Sequence, residues 1–241
     1  MIRRTVLFCL AVAAVACAQA PEGIPRQLAR ERAANISDVR YKLSFQLAPK
    51  TPDVPGTVEV TFALKNAQDT LLDYRDGSVK SVTINSKTAD ARTENGHIVL
   101  SEALLRTGAN IVRIEFTSHV AAAGKPIIRY EDKDDGSEYI YTLFVPMDAS
   151  MAFPCFDQPD IKARFALTID APANWTIVSN AKHESDRVTL DLCASAPGEP
   201  APDCQGVQRS QFAETRPIST YLLAFAAGPF QKIERAGMPT V

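Results

Sequence analysis

The sequence has few of the residues that carry hydrolytic or metal chemistry. It contains only three histidines, His97, His119 and His183, and no two of them are four residues apart. A zinc helix of the H-E-x-x-H type requires that spacing, because both imidazoles must project from one helical face. The sequence also has no G-x-S-x-G elbow, no Walker loop and no G-x-G-x-x-G run. We therefore predict no catalytic residue, no metal ligand and no cofactor in this chain.

An excess of positive charge is also absent. Lysine and arginine together number 26 against 28 acidic residues, which gives a formal net charge of −2. Proteins that bind nucleic acid usually carry a clear basic excess or a basic stripe. Nucleic acid is therefore not an expected partner.

Long apolar runs are confined to the start of the chain. Arg3 and Arg4 precede an apolar run from Val6 to Ala16, and small residues follow. This layout is typical of a secretory signal over residues 1–20. The run is shorter than the roughly 20 apolar residues that a membrane-spanning helix needs. We expect an exported protein, located in the periplasm, outside the cell or at the cell envelope.

The end of this signal can be placed in more than one way. Cleavage after Ala18 or after Ala20 fits the small residues, although Pro21 makes the second position awkward. Alternatively, Cys17 closes a loose lipobox and would carry a lipid that tethers the protein to a membrane. We favour cleavage without lipid, and both forms remain open.

Three cysteines remain after the signal. Cys193 and Cys204 enclose a proline-rich segment, and a disulfide between them would restrain that loop in an oxidising compartment. Two free thiols are the alternative. Cys155 lies among aromatic residues, so we expect it to be a buried small apolar residue.

Period-two alternation dominates the chain after a leader at residues 21–35, which is helical or disordered. Apolar residues occupy every second position in Val39–Leu47 and in Thr57–Leu64, as in strands with one buried face. Further strands are predicted at Thr70–Tyr74, Val79–Ile84, Ile98–Leu100, Ile111–Phe116, Tyr139–Phe144, Phe165–Asp170, Thr176–Val178, Val188–Leu192 and Thr220–Ala226. Many short strands at close spacing predict an all-β fold, an antiparallel β-sandwich or open barrel. We assign one domain to residues 36–236, and residues 237–241 as the start of a further, truncated segment.

One segment is far more specific than the rest. Residues 141–165 read Y-T-L-F-V-P-M-D-A-S-M-A-F-P-C-F-D-Q-P-D-I-K-A-R-F. Without a gap, this resembles the pattern T-Q-F-E-P-x-D-A-R-x-A-F-P-C-F-D-E-P-x-x-K-A-x-F of zinc aminopeptidases of the aminopeptidase N family. Residues 177–180 and 218–225 resemble two later motifs of the same family, in the same order.

The resemblance implies the saddle-like N-terminal β domain of such an enzyme, without catalytic residues of its own. It implies a partner in a catalytic zinc domain of the same longer protein, and zinc in that intact enzyme. The run from Phe153 to Asp157 is then structural: its two phenylalanines supply apolar area, and Asp157 can accept hydrogen bonds from nearby backbone N–H groups. The segment would hold one wall of the cleft that binds the peptide substrate.

The chain departs from the family at two positions. Leu143 and Val145 occupy the places of the Gln and Glu in T-Q-F-E-P, and the resemblance implies that this Glu helps to bind the substrate's free α-ammonium. Neither residue can supply that contact. Two other hypotheses therefore stand beside the aminopeptidase domain: a free-standing exported β-sandwich that binds partners, and a lapsed peptidase without hydrolytic activity.

Overall fold

The structure, a computed structural model, describes residues 19–189 and 206–231. The described part of the chain is mostly β, which confirms the all-β prediction. Its elements are α1 (Arg26–Asn35), β1 (Ile36–Gln46), β2 (Asp53–Leu64), β3 (Thr70–Asp73), β4 (Ser78–Ile84), β5 (Lys87–Ala89), β6 (Thr93–Glu94), β7 (His97–Leu100), β8 (Gly108–Ala121), β9 (Ile127–Glu131), β10 (Glu138–Thr142), β11 (Ala163–Pro172), β12 (Thr176–Ser179), β13 (His183–Thr189), β14 (Val207–Phe212) and β15 (Phe225–Gly228). None of the helices in these ranges is long and apolar enough to cross a membrane.

Several sequence predictions fall outside the described residues. They are the secretory signal up to residue 18 with Cys17, the end of the strand predicted over Val188–Leu192, the pair Cys193 and Cys204, and the segment 237–241. Each of these stays a prediction.

The alternating pattern of the first two strands produces the central part of the sheet. In β1, Val39, Tyr41, Leu43 and Phe45 are buried while the residues between them face outward. β2 repeats the pattern and runs antiparallel to β1. Each strand therefore contributes one apolar row to the core, as its period of two requires.

The main sheet is large and mixed. Its strand order is β12-β15-β10-β9-β8-β2-β1-β11-β14-β13, and β4 also pairs with β8 and carries β5. Most pairs are antiparallel as predicted, but β1 with β11 and β8 with β9 run parallel. The described residues also form a small second sheet in the order β3-β7-β6. The sheet is therefore mixed rather than wholly antiparallel.

Two local predictions differ from the structure. The strand predicted over Thr220–Ala226 begins as a 3-10 turn, Thr220–Leu222, and only Phe225 onward pairs in the sheet. The strand predicted from Thr57 starts earlier, because β2 begins at Asp53 and carries Pro55 opposite Thr117. Sequence periodicity missed both boundaries because side-chain pattern does not report backbone pairing.

Helix α1 is part of the folded body. It has little apolar surface, and its one fully buried side chain is Arg32. The helix is therefore attached through a charged group, whose partners are described below.

Candidate cleft wall and docking face

Residues 143–161, here called the wall segment, connect β10 to β11. Phe153, Cys155 and Phe156 in this segment are completely buried. The prediction that Cys155 is a buried apolar residue is thus confirmed. Burial, together with the nearby carboxylates of Asp157 and Asp73, raises the pKa of the Cys155 thiol well above its usual range. The thiol is therefore protonated and inert in the folded protein.

The wall segment is bonded to the body along its backbone. Asp73 and Cys155 exchange two backbone hydrogen bonds, with N···O distances of 2.8 and 3.0 Å. The Phe156 N–H donates to the Tyr41 hydroxyl at 2.9 Å. Phe153 of the segment packs edge-on against Phe165 of β11, with ring centroids 6.3 Å apart. The segment is therefore fixed to β1, β3 and β11 together.

Asp157 behaves as its sequence context predicts. Its carboxylate accepts a hydrogen bond from the Ser150 N–H at 2.9 Å and one from the Thr220 hydroxyl at 2.8 Å. The residue is almost completely buried. It thereby joins the wall segment to the 3-10 turn Thr220–Leu222, which belongs to one of the later family-like motifs.

Asp73 is the centre of a buried polar cluster that the sequence analysis did not identify. Its carboxylate accepts two hydrogen bonds from the Arg32 guanidinium, at 2.6 and 2.9 Å. It also accepts one from His97 Nδ1 at 2.7 Å and one from the Asp157 backbone N–H at 2.9 Å. Burial acts to raise the pKa of the Asp73 carboxyl, but His97 and Arg32 outweigh it, and the pKa lies below the usual value. No local motif signals this cluster, because its members are distant in sequence.

Arg75 secures the exposed side of the wall segment. Its guanidinium donates to the Ser150 hydroxyl at 2.8 Å, to the Met147 carbonyl at 2.6 Å and to the Asp148 carboxylate at 2.9 Å. The stretch before Ser150 is therefore held in one conformation although it lies at the surface.

The two positions where the chain departs from the family pattern are both exposed. Leu143 is 56% exposed and Val145 is 54% exposed, while Phe144 between them is buried. The backbone at this point contains a cis peptide bond between Val145 and Pro146. The side chains of Leu143 and Val145 thus project outward from an anchored backbone.

Two more exposed apolar side chains lie on strands of the main sheet, Tyr141 and Val178. Tyr141 on β10, Ala226 on β15 and Val178 on β12 are directly opposite one another across the three strands. Tyr141 is 40% exposed and Val178 is 53% exposed. We call the surface formed by Tyr141, Leu143, Val145, Met147 and Val178 the apolar face. A group of large apolar side chains at one surface is typical of an interaction site.

The histidines make local polar contacts. His97 is buried against Asp73, His119 lies 2.9 Å from Asp53 and His183 lies 2.7 Å from Asp186. Within residues 19–189 and 206–231, no group of three or more His, Cys, Asp or Glu side chains could hold a metal ion.

Comparison with known proteins shows which family this chain is similar to. The family model of the Peptidase M1 N-terminal domain matches residues 37–222. Aminopeptidase N of Streptomyces lividans is 27% identical over 215 residues, which are 87% of this chain and 23% of that protein. Aminopeptidase 2, mitochondrial, of Saccharomyces cerevisiae is 29% identical over 213 residues, covering 83% of this chain and 21% of the relative.

The fold agrees with a solved relative. The crystal structure of an M1 zinc metallopeptidase from Deinococcus radiodurans matches 80% of this chain and 42% of its own chain, with a TM-score of 0.63 and 19% identity. The chain spans less than a quarter of the curated relatives described above. Since the family model covers most of the sequence, the chain belongs to the Peptidase M1 N-terminal domain family.

Proposed function

We propose that this chain serves as the non-catalytic N-terminal domain of a zinc-dependent aminopeptidase and forms one wall of its peptide cleft. The zinc and its ligands would be supplied by a catalytic domain of the same longer protein. Support comes from the names of the relatives, which include aminopeptidases and a zinc metallopeptidase.

The observation that carries this proposal is the anchored apolar face. Five large apolar side chains are partly or mostly exposed. Tyr141 and Val178 lie on strands paired with β15, and the other three lie on the wall segment, which Arg75 and Asp73 anchor. Rigid placement of exposed apolar groups favours binding, since little conformational entropy is lost when a partner covers them. We infer that the catalytic domain covers part of this face and that Leu143 and Val145 border the cleft.

The cleft would differ chemically from that of relatives with Gln and Glu at these positions. Leu143 and Val145 offer apolar surface and no charge to a substrate. We infer that the groups that bind the substrate's α-ammonium all belong to the catalytic domain.

We also propose that the protein is exported. The support is the basic, apolar and small-residue succession in the first twenty residues. Attachment to a membrane through a lipid on Cys17 is the alternative form of export.

The test is aminopeptidase turnover on amino-acid anilides with added zinc. We would compare this chain with a chain extended through the downstream reading frame. Turnover only in the extended form supports the proposal. Absence of turnover in both would favour the binding-module or lapsed-peptidase hypothesis.

A matched pair of variants tests the docking part. In the extended chain, Val178→Asp is expected to lower turnover because it places a charge on the apolar face. Ile111→Asp changes an apolar residue that is 38% exposed on β8, away from that face, and should have little effect. Equal effects of the two changes would contradict docking through the apolar face.

A further inference from the structure

Three aromatic side chains form a partly exposed strip on the outer face of the main sheet. Tyr130 on β9 lies directly opposite Tyr139 on β10, and their ring centroids are 6.2 Å apart. Phe230, just after β15, continues the row with its ring centroid 4.8 Å from that of Tyr139. Tyr130 is 51% exposed and Phe230 is 39% exposed. We call Tyr130, Tyr139 and Phe230 the aromatic strip.

The close packing of the strip depends on a glycine. Gly228 on β15 lies beside Tyr139, and a Cβ at this position would stand 2.5 Å from the Tyr139 ring. The backbone of Gly228 is not left-handed, so glycine is needed here for close approach and not for conformational freedom. The Tyr139 ring can therefore lie against β15, between its two aromatic neighbours.

The aromatic strip continues the apolar face. In β10, Glu138, Ile140 and Thr142 are buried, so Tyr139 and Tyr141 both point to the outer side of the sheet. Tyr141 belongs to the apolar face, which the proposed function assigns to docking of the catalytic domain. A partner on the apolar face therefore meets the aromatic strip only about 7 Å further along β10.

An acidic turn borders the strip. Residues 131–135, where β9 turns into β10, contain four carboxylates against one lysine, or a net charge of −3. Asp132 and Asp135 each accept a hydrogen bond from a backbone N–H of the turn, at 2.9 and 2.8 Å. The side chains of Glu131 and Asp134 are exposed, and within the described part of the chain they form no hydrogen bond or ion pair. Their two charges are therefore uncompensated beside the aromatic rings.

We propose that the catalytic domain of the longer protein contacts the aromatic strip through a basic, arginine-bearing surface. This inference rests on the proposed function, which supplies the partner. Aromatic faces attract cations, and the planar guanidinium of arginine stacks on them. The same arginine side chains supply counter-ions to Glu131 and Asp134, as complementary charge across an interface requires. A wholly apolar partner surface would bring these two carboxylates no counter-ion.

The contact at the strip differs in character from the contact at the apolar face. Burial of apolar surface does not depend on screening, whereas exposed charges are screened within about 10 Å at 0.1 M salt and about 3 Å at 1 M. The polypeptide also leaves β15 beside the strip, because Phe230 follows β15 by two residues. A domain joined further along the chain is thereby tethered on this side of the sheet.

Tyrosine nitration by tetranitromethane, mapped by mass spectrometry, tests the proposal without requiring activity. In this chain alone, Tyr130 and Tyr141 are exposed and should react, whereas Tyr41 and Tyr74 are buried and show that the fold is intact. In a chain extended through the downstream reading frame, we expect nitration of Tyr130 to fall by about tenfold, which corresponds to a docked form favoured by about 1.4 kcal/mol. This protection should be lost at about 1 M salt, where charge pairs are screened.

Each tyrosine reports on a different proposal. Protection of Tyr141 without protection of Tyr130 would refute the contact at the strip and leave docking through the apolar face intact. Absence of protection at both would count against docking itself. Protection of Tyr130 that persists at high salt would overturn the basic character of the partner surface. Protection in this chain alone that grows with protein concentration would show that a second copy covers the strip, which also overturns the proposal.

Charge reversal tests the acidic turn directly. Glu131→Lys combined with Asp134→Lys removes the uncompensated charges and leaves the two aspartates that accept hydrogen bonds in the turn. In the extended chain this variant should restore nitration of Tyr130 to the level of the short chain. Asp90→Lys combined with Glu184→Lys is the matched control, because both are exposed acids outside the strip and form no ion pair with other described residues. Equal loss of protection in the two variants would contradict a specific contact at the turn.

Discussion

The carboxylate of Asp73 accepts hydrogen bonds from both terminal nitrogens of Arg32, and each side chain is at most 3% exposed. The pair joins helix α1 to β3, and Asp73 in turn bonds the wall segment through the Asp157 N–H. Anchoring of the helix and of the wall segment thus depends on one carboxylate.

Replacing Arg32 by methionine should therefore destabilise the domain strongly. The change leaves Asp73 charged and buried without its main counter-ion, which typically costs about 3–5 kcal/mol. The free energy of unfolding in urea is the measurement. Arg40→Met is the control, because Arg40 pairs with Glu214 at the surface and such pairs contribute about 1 kcal/mol or less. Equal losses in the two variants would contradict a special role for the Arg32–Asp73 pair.

The same carboxylate predicts a loss of stability in acid. The pKa of Asp73 is lower in the folded state than its ordinary value of 3.8, so the unfolded chain binds a proton more readily. The contribution of Asp73 to the free energy of unfolding is complete above pH 3.8. It is lost as the pH falls through the lower pKa of the folded state. The free energy of unfolding, measured in urea from neutral pH into this acid range, should fall less steeply with pH in Asp73→Asn than in the unchanged protein. An unchanged slope would show that Asp73 does not carry the effect.

Cys155 should resist thiol reagents in the native state. Its side chain is fully buried and burial raises its pKa, so neither access nor thiolate is available. We expect an Ellman-type reagent to label Cys155 only after unfolding. A cysteine introduced at Val178, which is 53% exposed, is the positive control and should react in the folded protein. Mapping the labelled peptide by mass spectrometry identifies which thiol has reacted, and rapid native labelling of Cys155 would contradict its burial.

Val145→Glu should improve aminopeptidase turnover in a chain extended to include a catalytic domain. A carboxylate at this position would offer the substrate's ammonium a charge-assisted hydrogen bond of about 1.5–3 kcal/mol, or roughly 10- to 150-fold in kcat/KM. Ile111→Glu is the control, because Ile111 is also an exposed apolar residue, at 38% exposure, and it lies away from the apolar face. A gain in both variants, or in neither, would count against Val145 as a cleft residue.

Much of the fold could be predicted from the sequence where one face of a strand is buried. The side chains that enter the core could be predicted from the alternation in β1 and β2. The apolar run around Phe153 predicts further core residues. Asp157 was likewise predictable as an acceptor of local backbone hydrogen bonds. In these cases the information lies within a few residues of the feature.

Pairing over long distances could not be predicted in the same way. Arg32 reads as a surface residue of a polar helix, and its partner Asp73 is 41 positions away. The parallel pairing of β1 with β11 cannot be detected in the sequence of either strand. A strand with one buried face alternates in the same way whether its neighbour is parallel or antiparallel. The 3-10 turn at Thr220–Leu222 was missed for a related reason, since Thr220 donates a hydrogen bond to Asp157, 63 positions away in the sequence.

The parallel pair of β1 and β11 also constrains the order in which the chain can assemble. Val39 pairs with Ala163, so one edge of β1 must wait for a strand synthesised roughly 120 residues later. At ribosomal rates of about 5–20 residues per second, this delay lasts on the order of 6–24 seconds. The hairpin of β1 with β2 can form meanwhile, but its open edge offers unpaired N–H and C=O groups to other chains. A nascent chain is therefore most exposed to pairing with other chains during the interval before β11 emerges.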